Sequence, residues 1–297
     1  MKKKFKANPQ SIIAASARLP SSAKLIEALY SAINKPDVDI DQVIRLVSLD
    51  IAITSRLLRM ANSASYARGE TVTNLNQALA WLGAIQAFRV ACITVSAKLC
   101  ELNLPIYHIS TDRLLANSIA MAVGMEIVSA KAGLDHKTGY TIGLLHNLGR
   151  IILQRLANQM EIHEGAGDLP NMHAVVNWEL ETFGYTHSEI GSLVLDQWGM
   201  NSMIVNVIKI QHDAQQIEDP EVRRWSALLH ITATLVASTE FGLGVTSDAW
   251  PISEAVFIEA SIPGLDILQL SESITVATRE LCEQSGITFA IVRSKSL

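Results

Sequence analysis

Apolar residues recur at intervals of three and four along nearly the whole chain, and no segment sustains the alternation that a strand requires. The first such segment begins after Pro20 and places its apolar positions on one helical face, at Leu25, Ile26, Leu29, Tyr30 and Ile33. Glycine, proline and asparagine separate this segment from the ones that follow. We therefore predict an all-α protein, built as a bundle of many helices.

Short polar patterns mark where several of these helices begin. Asp39 precedes an apolar-periodic run and is a residue type that accepts hydrogen bonds at a helix N-terminus. Asn74 with Gln77, and Thr186 with Glu189, have the spacing of capping boxes, in which two side chains satisfy the first free N–H groups. We expect a helix to start at each of these positions.

Charge is unevenly placed only at the start of the chain. The net charge is -5, which gives no general attraction to nucleic acid. The first residues are basic, and we predict that residues 1–16 form a flexible basic tail. Binding of DNA or RNA through that tail is a minor hypothesis, and a nucleic-acid partner is not expected. The lysines concerned are Lys2, Lys3, Lys4 and Lys6.

Composition also bears on where the protein works. No window approaches about 18 uninterrupted apolar residues, so we expect no transmembrane helix. The three cysteines, Cys92, Cys100 and Cys282, have no CxxC spacing and are odd in number. Free thiols of this kind are typical of a reducing compartment, and we expect a cytoplasmic protein.

One polar pair interrupts an otherwise apolar helical segment. His146 and Asn147 lie between Leu144, Leu145 and Leu148, which are spaced as on a buried helix. Buried polar groups need hydrogen-bond partners, and here those partners must come from other helices. Two interpretations stay open: a structural pair that is satisfied inside the core, or a pocket that binds a metal or a ligand.

Several blocks of sequence, in a fixed order, resemble HDOD domains, the HD-related output domains of bacterial signalling proteins. Leu19-Pro20 opens the first half, and Gly143-Leu-Leu-His146-Asn147-Leu-Gly149 lies in the second half. The resemblance extends over residues 17–215. The remaining matching blocks are residues 50–66, 74–83, 183–191, 198–199 and 211–212.

The resemblance implies an HD-domain-like bundle in two helical halves with a C-terminal helical extension. It places the first helical half of the HDOD domain at residues 17–105 and the HD-like half at residues 106–215. Residues 216–297 match less clearly, and we expect them to form a helical extension that packs on the HD-like half. A homo-oligomer is an option if an apolar face is left exposed.

The resemblance also identifies a candidate site. HD phosphohydrolases hold divalent metals through a first His, an adjacent His-Asp pair and a later Asp, because imidazole and carboxylate are suitable ligands. The chain has Asn117 at the first-His position, His146-Asn147 at the His-Asp pair, and Ala233 at the late Asp. The site therefore has the form of a degenerate HD pocket. Its expected members are Asn117, His146, Asn147, His187 and His212.

These departures remove negative charge from the place where a metal would bind. We therefore expect no metal and no cofactor, and no catalytic residue is assigned. The alternative is a divalent metal, Mn, Fe or Mg, held by His146, His187 and His212. For each surviving histidine, a hydrogen-bonded core residue is the simpler interpretation.

Two main functional hypotheses follow. In the first, the protein is a non-catalytic signalling or regulatory module that binds a signalling protein or a small anionic ligand in a bacterial cytoplasm. In the second, it is a metal-dependent phosphohydrolase of the HD superfamily with an atypical metal site. Bound metal and phosphodiester hydrolysis would distinguish the two.

Overall fold

The computed structural model describes residues 9–16, 19, 24–101, 103–163, 165–212, 218–244, 254–262 and 266–289. Every extended regular element within these ranges is a helix, and the one bridge pairs Leu104 with Ile109. The all-α prediction is therefore confirmed. The lysines of the predicted basic tail lie outside the described residues.

The chain divides into two compact units. The smaller unit comprises residues 20–99 and 277–289, and the larger comprises residues 1–19, 100–276 and 290–297. In the smaller unit the helices are α2 (Lys24–Ile33), α3 (Ile40–Ser48), α4 (Ile51–Ala61) and α5 (Leu75–Leu99).

The larger unit contains most of the helices and the whole candidate site. Its helices are α1 (Pro9–Ser16), α6 (Thr111–Lys131), α7 (His136–Leu145), α8 (Leu148–Gln159), α9 (Met172–Phe183), α10 (His187–Gln197), α11 (Ser202–Lys209), α12 (Pro220–Ala237) and α13 (Glu254–Glu259). The last helix, α14 (Ile267–Ser285), belongs to the larger unit up to residue 276 and to the smaller unit beyond it.

Two of the predicted caps are complete, and at Asn74 the described contacts include only the bond from the Gln77 N–H to Asn74 Oδ1, at 2.9 Å. The Gln42 N–H donates to Asp39 Oδ1 over 3.0 Å at the start of α3. Thr186 and Glu189 form the complete capping box that begins α10. Gly83 interrupts α5 with a positive φ of 79°.

Two parts of the predicted organisation are wrong. Residues 9–16 form α1 rather than a flexible tail, because Ile12 and Ala15 are buried in the larger unit. Residues 277–289, which we expected to belong to an extension of the HD-like half, cluster with the smaller unit. There, Arg56 Nη1 donates to the Ser285 carbonyl over 2.7 Å, at the C-terminal end of α14.

Two helices pass a test of length and mean hydropathy for membrane spans, although we expected no transmembrane helix from the sequence. They are Leu75–Leu99 and Thr111–Lys131. In each, most of the apolar window is buried inside the protein, 61% in the first and 78% in the second. Core helices of a folded unit have the same property, so length and composition alone do not assign either helix to a membrane.

Glycines allow α7 to pack directly against the backbone of α6. A Cβ added at Gly143 would collide with the Met121 carbonyl, and one at Gly139 would collide with the Met125 carbonyl. From Gly139 to Gly143 the chain advances by four residues, while the contacted residue moves back by four, from Met125 to Met121. The two helices are therefore antiparallel here. This close approach brings the C-terminal end of α7, where His146 lies, to the middle of α6.

A third glycine fixes how α8 meets α10. A Cβ at Gly149 would overlap the His187 carbonyl and would lie 2.9 Å from the Gly191 backbone nitrogen. Since both obstacles are backbone atoms, no side-chain movement can make room. Gly149 therefore permits the first turns of α8 and α10 to touch, which places His187 beside His146.

We predict that Gly149→Ala lowers the free energy of unfolding by about 2–3 kcal/mol, because one methyl group must displace backbone. Gly191→Ala is the matched control, since its added Cβ would have no neighbour closer than 3.3 Å. Urea unfolding monitored by circular dichroism measures both variants. Equal stability of the two would contradict this account of the helix contact.

Candidate functional site

A cleft in the larger unit brings together the residues that the sequence analysis aligned with a metal site. It holds about 320 Å³ of empty space, part of it open to solvent. All four aligned positions lie in its wall, although they come from α6, the α7–α8 junction and α12. The lining residues are Asn117, Met121, His146, Asn147, Arg150, His187, Ala233 and Ala237.

His146 ends α7 and is 6% exposed. Its Nδ1 lies 2.7 Å from the Gly143 carbonyl. Because a carbonyl only accepts, Nδ1 carries the hydrogen and Nε2 carries the lone pair. Burial lowers the pKa of His146 to about 3, while the bond to Gly143 opposes that shift and the Arg150 charge adds to it. The imidazole is therefore neutral at physiological pH.

Asn117, at the position of the first His, and Asn147, at the position of the Asp in the His-Asp pair, bind each other. Asn147 Nδ2 donates to Asn117 Oδ1 over 3.1 Å. Asn117 Nδ2 in turn donates to the Phe241 carbonyl over 3.2 Å, just beyond the end of α12. The result is a chain of neutral hydrogen bonds across the floor of the cleft, in a place where the resemblance implies ionised ligands.

Glu179 is a member of the site that the sequence analysis missed. It is fully buried on α9 and accepts three hydrogen bonds: from Tyr107 Oη at 2.7 Å, from the His187 backbone N–H at 2.8 Å, and from His187 Nδ1 at 2.9 Å. A signal was present in the sequence, because Glu179 falls on the apolar face of α9 with Val175 and Phe183. A charged residue on a buried face requires such partners.

His187 and His212 form a direct pair. Their Nε2 atoms are 2.8 Å apart, so one ring donates and the other accepts. Because Glu179 engages Nδ1 of His187, both ring nitrogens of that residue are occupied. Burial lowers the pKa of His212 well below 6.5, and the neighbouring His187 and Arg150 act in the same direction. His212 itself touches His187 but does not line the cleft.

Gln211, which precedes His212 in the chain, forms hydrogen bonds with His146 and His230. Gln211 Nε2 donates to the His146 carbonyl over 3.1 Å, and the Gln211 carbonyl accepts from His230 Nε2 over 2.6 Å. The Gln211-His212 block of the sequence thus connects α12 with the end of α7.

Arg150 brings positive charge to the cleft, and the sequence analysis did not select it. Within the described ranges it is the one lysine or arginine that is buried, at 3% exposed. Its guanidinium lies 5.4 Å from the centre of the Tyr107 ring, and its Nη2 is 3.5 Å from Met172 Sδ. Its position could not be read from the sequence, because it depends on the contact of α8 with the segment around Tyr107.

The comparisons with known proteins identify the family of this chain. A family model described as "HDOD domain" matches residues 19–214. The chain belongs to the HDOD family. It is also 26% identical, over 210 residues, to an uncharacterized protein of Treponema pallidum (strain Nichols). That match covers 66% of this chain and only 37% of the relative, so the chain spans well under half of the relative's length.

Solved structures share the HDOD fold at low sequence identity. A protein of Marinobacter aquaeolei VT8, provisionally named a signal transduction protein, gives a TM-score of 0.69 at 18% identity, over 93% of this chain and 64% of its own. An HDOD domain protein with unknown function from Geobacter sulfurreducens gives a TM-score of 0.65 at 19% identity, and the match covers 93% of this chain and 99% of that protein. A provisionally named phosphohydrolase of Shewanella amazonensis SB2B gives a TM-score of 0.58 at 19% identity, and the match covers 93% of this chain and 97% of that protein. These likenesses show the fold.

The donor atoms of this HDOD cleft do not fit a divalent metal. Among the described residues, no group of three or more His, Cys, Asp or Glu side chains is arranged to hold one. Of the four aligned positions, only His146 has a ligand of the expected type, and His187 has both ring nitrogens engaged. Amide oxygens bring no charge, so the attraction for a cation is weak.

The neutral state of His146 predicts how stability depends on pH. The unfolded residue takes up a proton near pH 6.5, whereas the folded residue does so only near pH 3. Stability is therefore fully present above pH 6.5 and falls as the pH decreases towards 3, by about 1.4 kcal/mol per pH unit for this one proton. His146→Gln should remove that share of the slope.

Urea unfolding at intervals between pH 6.5 and pH 4.5 measures this slope in the wild type and in His146→Gln. His163→Gln is the control, since His163 is exposed and outside the site. An unchanged slope in His146→Gln would show that the imidazole is not held neutral by burial.

Proposed function

We propose that this chain is a non-catalytic signalling module of the HDOD family whose cleft binds a small anionic ligand. The observation that carries the proposal is the composition of the cleft wall. The positions aligned with a metal site meet there, yet three of the four, Asn117, Asn147 and Ala233, are neutral and only His146 is a metal-binding type. The protein has kept the pocket and lost the charges that hold a metal.

Anion binding follows from the electrostatics of the same wall. Arg150 contributes a full positive charge to the lining, and the carboxylate of Glu179 lies behind it, where Tyr107 and His187 already bind it. A guanidinium presents several N–H donors in a plane that suits oxyanions, and burial strengthens each of these bonds. The empty space of about 320 Å³ includes solvent at the open side of the cleft, so it is an upper limit on the size of a ligand.

Hydrolysis has no support in the arrangement of the side chains. Phosphodiester hydrolysis in HD enzymes requires a metal to activate water, and the donors here do not fit one. The similarity to the phosphohydrolase of Shewanella amazonensis SB2B is at 19% sequence identity, and it supports a shared fold alone. The hydrolase hypothesis therefore stands only as the outcome that would follow if the chain were found to bind metal tightly.

The signalling setting is proposed with the function. A ligand-bound module of this kind acts by binding another signalling protein, and we propose such a partner in a bacterial cytoplasm. The described cysteines support a reducing compartment, because Cys92, Cys100 and Cys282 are buried free thiols. Since the chain covers only part of its first relatives, the activity of the longer proteins is not carried over to it.

The test is binding of inorganic phosphate by isothermal titration calorimetry. We expect the wild type to bind one phosphate and Arg150→Met to bind it at least about tenfold more weakly, because a charged hydrogen bond is lost. The control is Arg45→Met, which removes an exposed arginine in an ion pair with Asp39. Circular dichroism verifies that both variants are folded.

Absence of phosphate binding in the wild type would overturn the anion-binding function. Equal affinities of the wild type and Arg150→Met would show that anions bind somewhere other than the cleft.

A further inference from the structure

We propose that the ligand of the cleft carries a hydrogen-bond donor beside its negative charge, as a protonated phosphate group does. The inference rests on the proposed anion-binding function and names the class of anion. It comes from a mismatch in the cleft wall, where an acceptor of the mostly buried His146 lies near the cationic Arg150. A fully deprotonated oxyanion would satisfy the cation and leave the acceptor facing another lone pair.

The acceptor is Nε2 of His146. The hydrogen of this imidazole is on Nδ1, where it is used by the Gly143 carbonyl at 2.7 Å. His146 lines the cleft and is more than nine-tenths buried, and no described residue donates to its Nε2. A buried acceptor of this kind is best satisfied by a donor on the ligand.

The tautomer of His146 is fixed by the fold. The Gly143 carbonyl cannot move away, because Gly143 is packed against the Met121 backbone of α6. A second proton on the ring is also disfavoured, since burial holds the pKa of His146 at about 3. The neutral ring therefore carries its hydrogen on Nδ1 and its lone pair on Nε2.

The other histidine in the wall does not offer a competing acceptor. Nε2 of His187 is 2.8 Å from Nε2 of His212, and its Nδ1 is bound to Glu179. The cleft thus combines the Arg150 cation with two acceptors, His146 Nε2 and the side-chain oxygen of Asn147, whose Nδ2 is bound to Asn117. This combination selects an anion by whether it carries a proton.

Phosphate and sulfate test the inference, because the two ions have the same tetrahedral shape and differ in protonation at neutral pH. Phosphate keeps at least one hydrogen, whereas sulfate has none. Titration calorimetry at pH 7 and constant ionic strength should show phosphate binding at least about tenfold more tightly than sulfate, as expected when a buried acceptor is left unpaired.

His146→Gln should reduce the difference between the ions to about threefold or less, because an amide can turn its N–H towards sulfate. The control His163→Gln should keep the wild-type difference. If His146→Gln does not fold, arsenate and selenate provide a second pair for the wild type: arsenate keeps a hydrogen and should bind like phosphate, and selenate has none and should bind like sulfate.

The outcomes separate the two proposals. Tight binding of phosphate and sulfate alike would overturn the donor requirement and leave the anion-binding function in place. Binding of neither ion would overturn the anion-binding function, and the inference with it. A preference for phosphate that persists unchanged in His146→Gln would overturn the role of His146, because another group would then distinguish the protonated anion from the unprotonated one.

Discussion

The site depends on the direct backbone contact between α7 and α6. Gly139 and Gly143 lack the side chains that would keep these helices apart, so α7 ends deep in the larger unit. His146 and Asn147 are carried to a place where water is excluded, and every polar group there must find a protein partner. The tautomer of His146 and the pairing of Asn147 both follow from that burial.

Around this contact the structure contains two systems of hydrogen bonds. The first is neutral and connects Asn147 through Asn117 to the Phe241 carbonyl. The second contains the buried charge, where Glu179 accepts from Tyr107 and His187, and His187 reaches His212. An HD metal site needs negative charge in the first system, and this protein holds its buried carboxylate in the second, one helix away from the cleft wall.

The helices and their starting points could be predicted because they depend on local physics. Apolar spacing and the side chains at Asp39, Thr186 and Glu189 act within a few residues, and the structure confirms them. Residues 9–16 were wrongly assigned to a tail, because a segment of eight residues forms a stable helix only when another surface buries its apolar side chains. The residues that provide that surface lie elsewhere in the chain, in the larger unit.

The candidate site could be predicted only in part, for a related reason. Asn117, His146 and Asn147 were found through the order of motifs, and the structure places them together in one cleft with His187. Arg150 and Glu179 could not be placed, since both depend on Tyr107, a residue from a segment distant in sequence. Glu179 had one usable signal, its position on an apolar helix face, and such a charge in a buried stripe indicates a functional or structural network.

The most direct test of the central claim is the metal content of protein purified without chelators and then incubated with manganese or iron. The account predicts less than about one-tenth of an equivalent of metal in the wild type, and near-stoichiometric metal in a variant with Asn117→His, Asn147→Asp and Ala233→Asp, which returns the missing ligands to the same cleft. Near-stoichiometric metal in the wild type, lost in His146→Ala, would contradict the account and make the chain a metal-dependent hydrolase candidate.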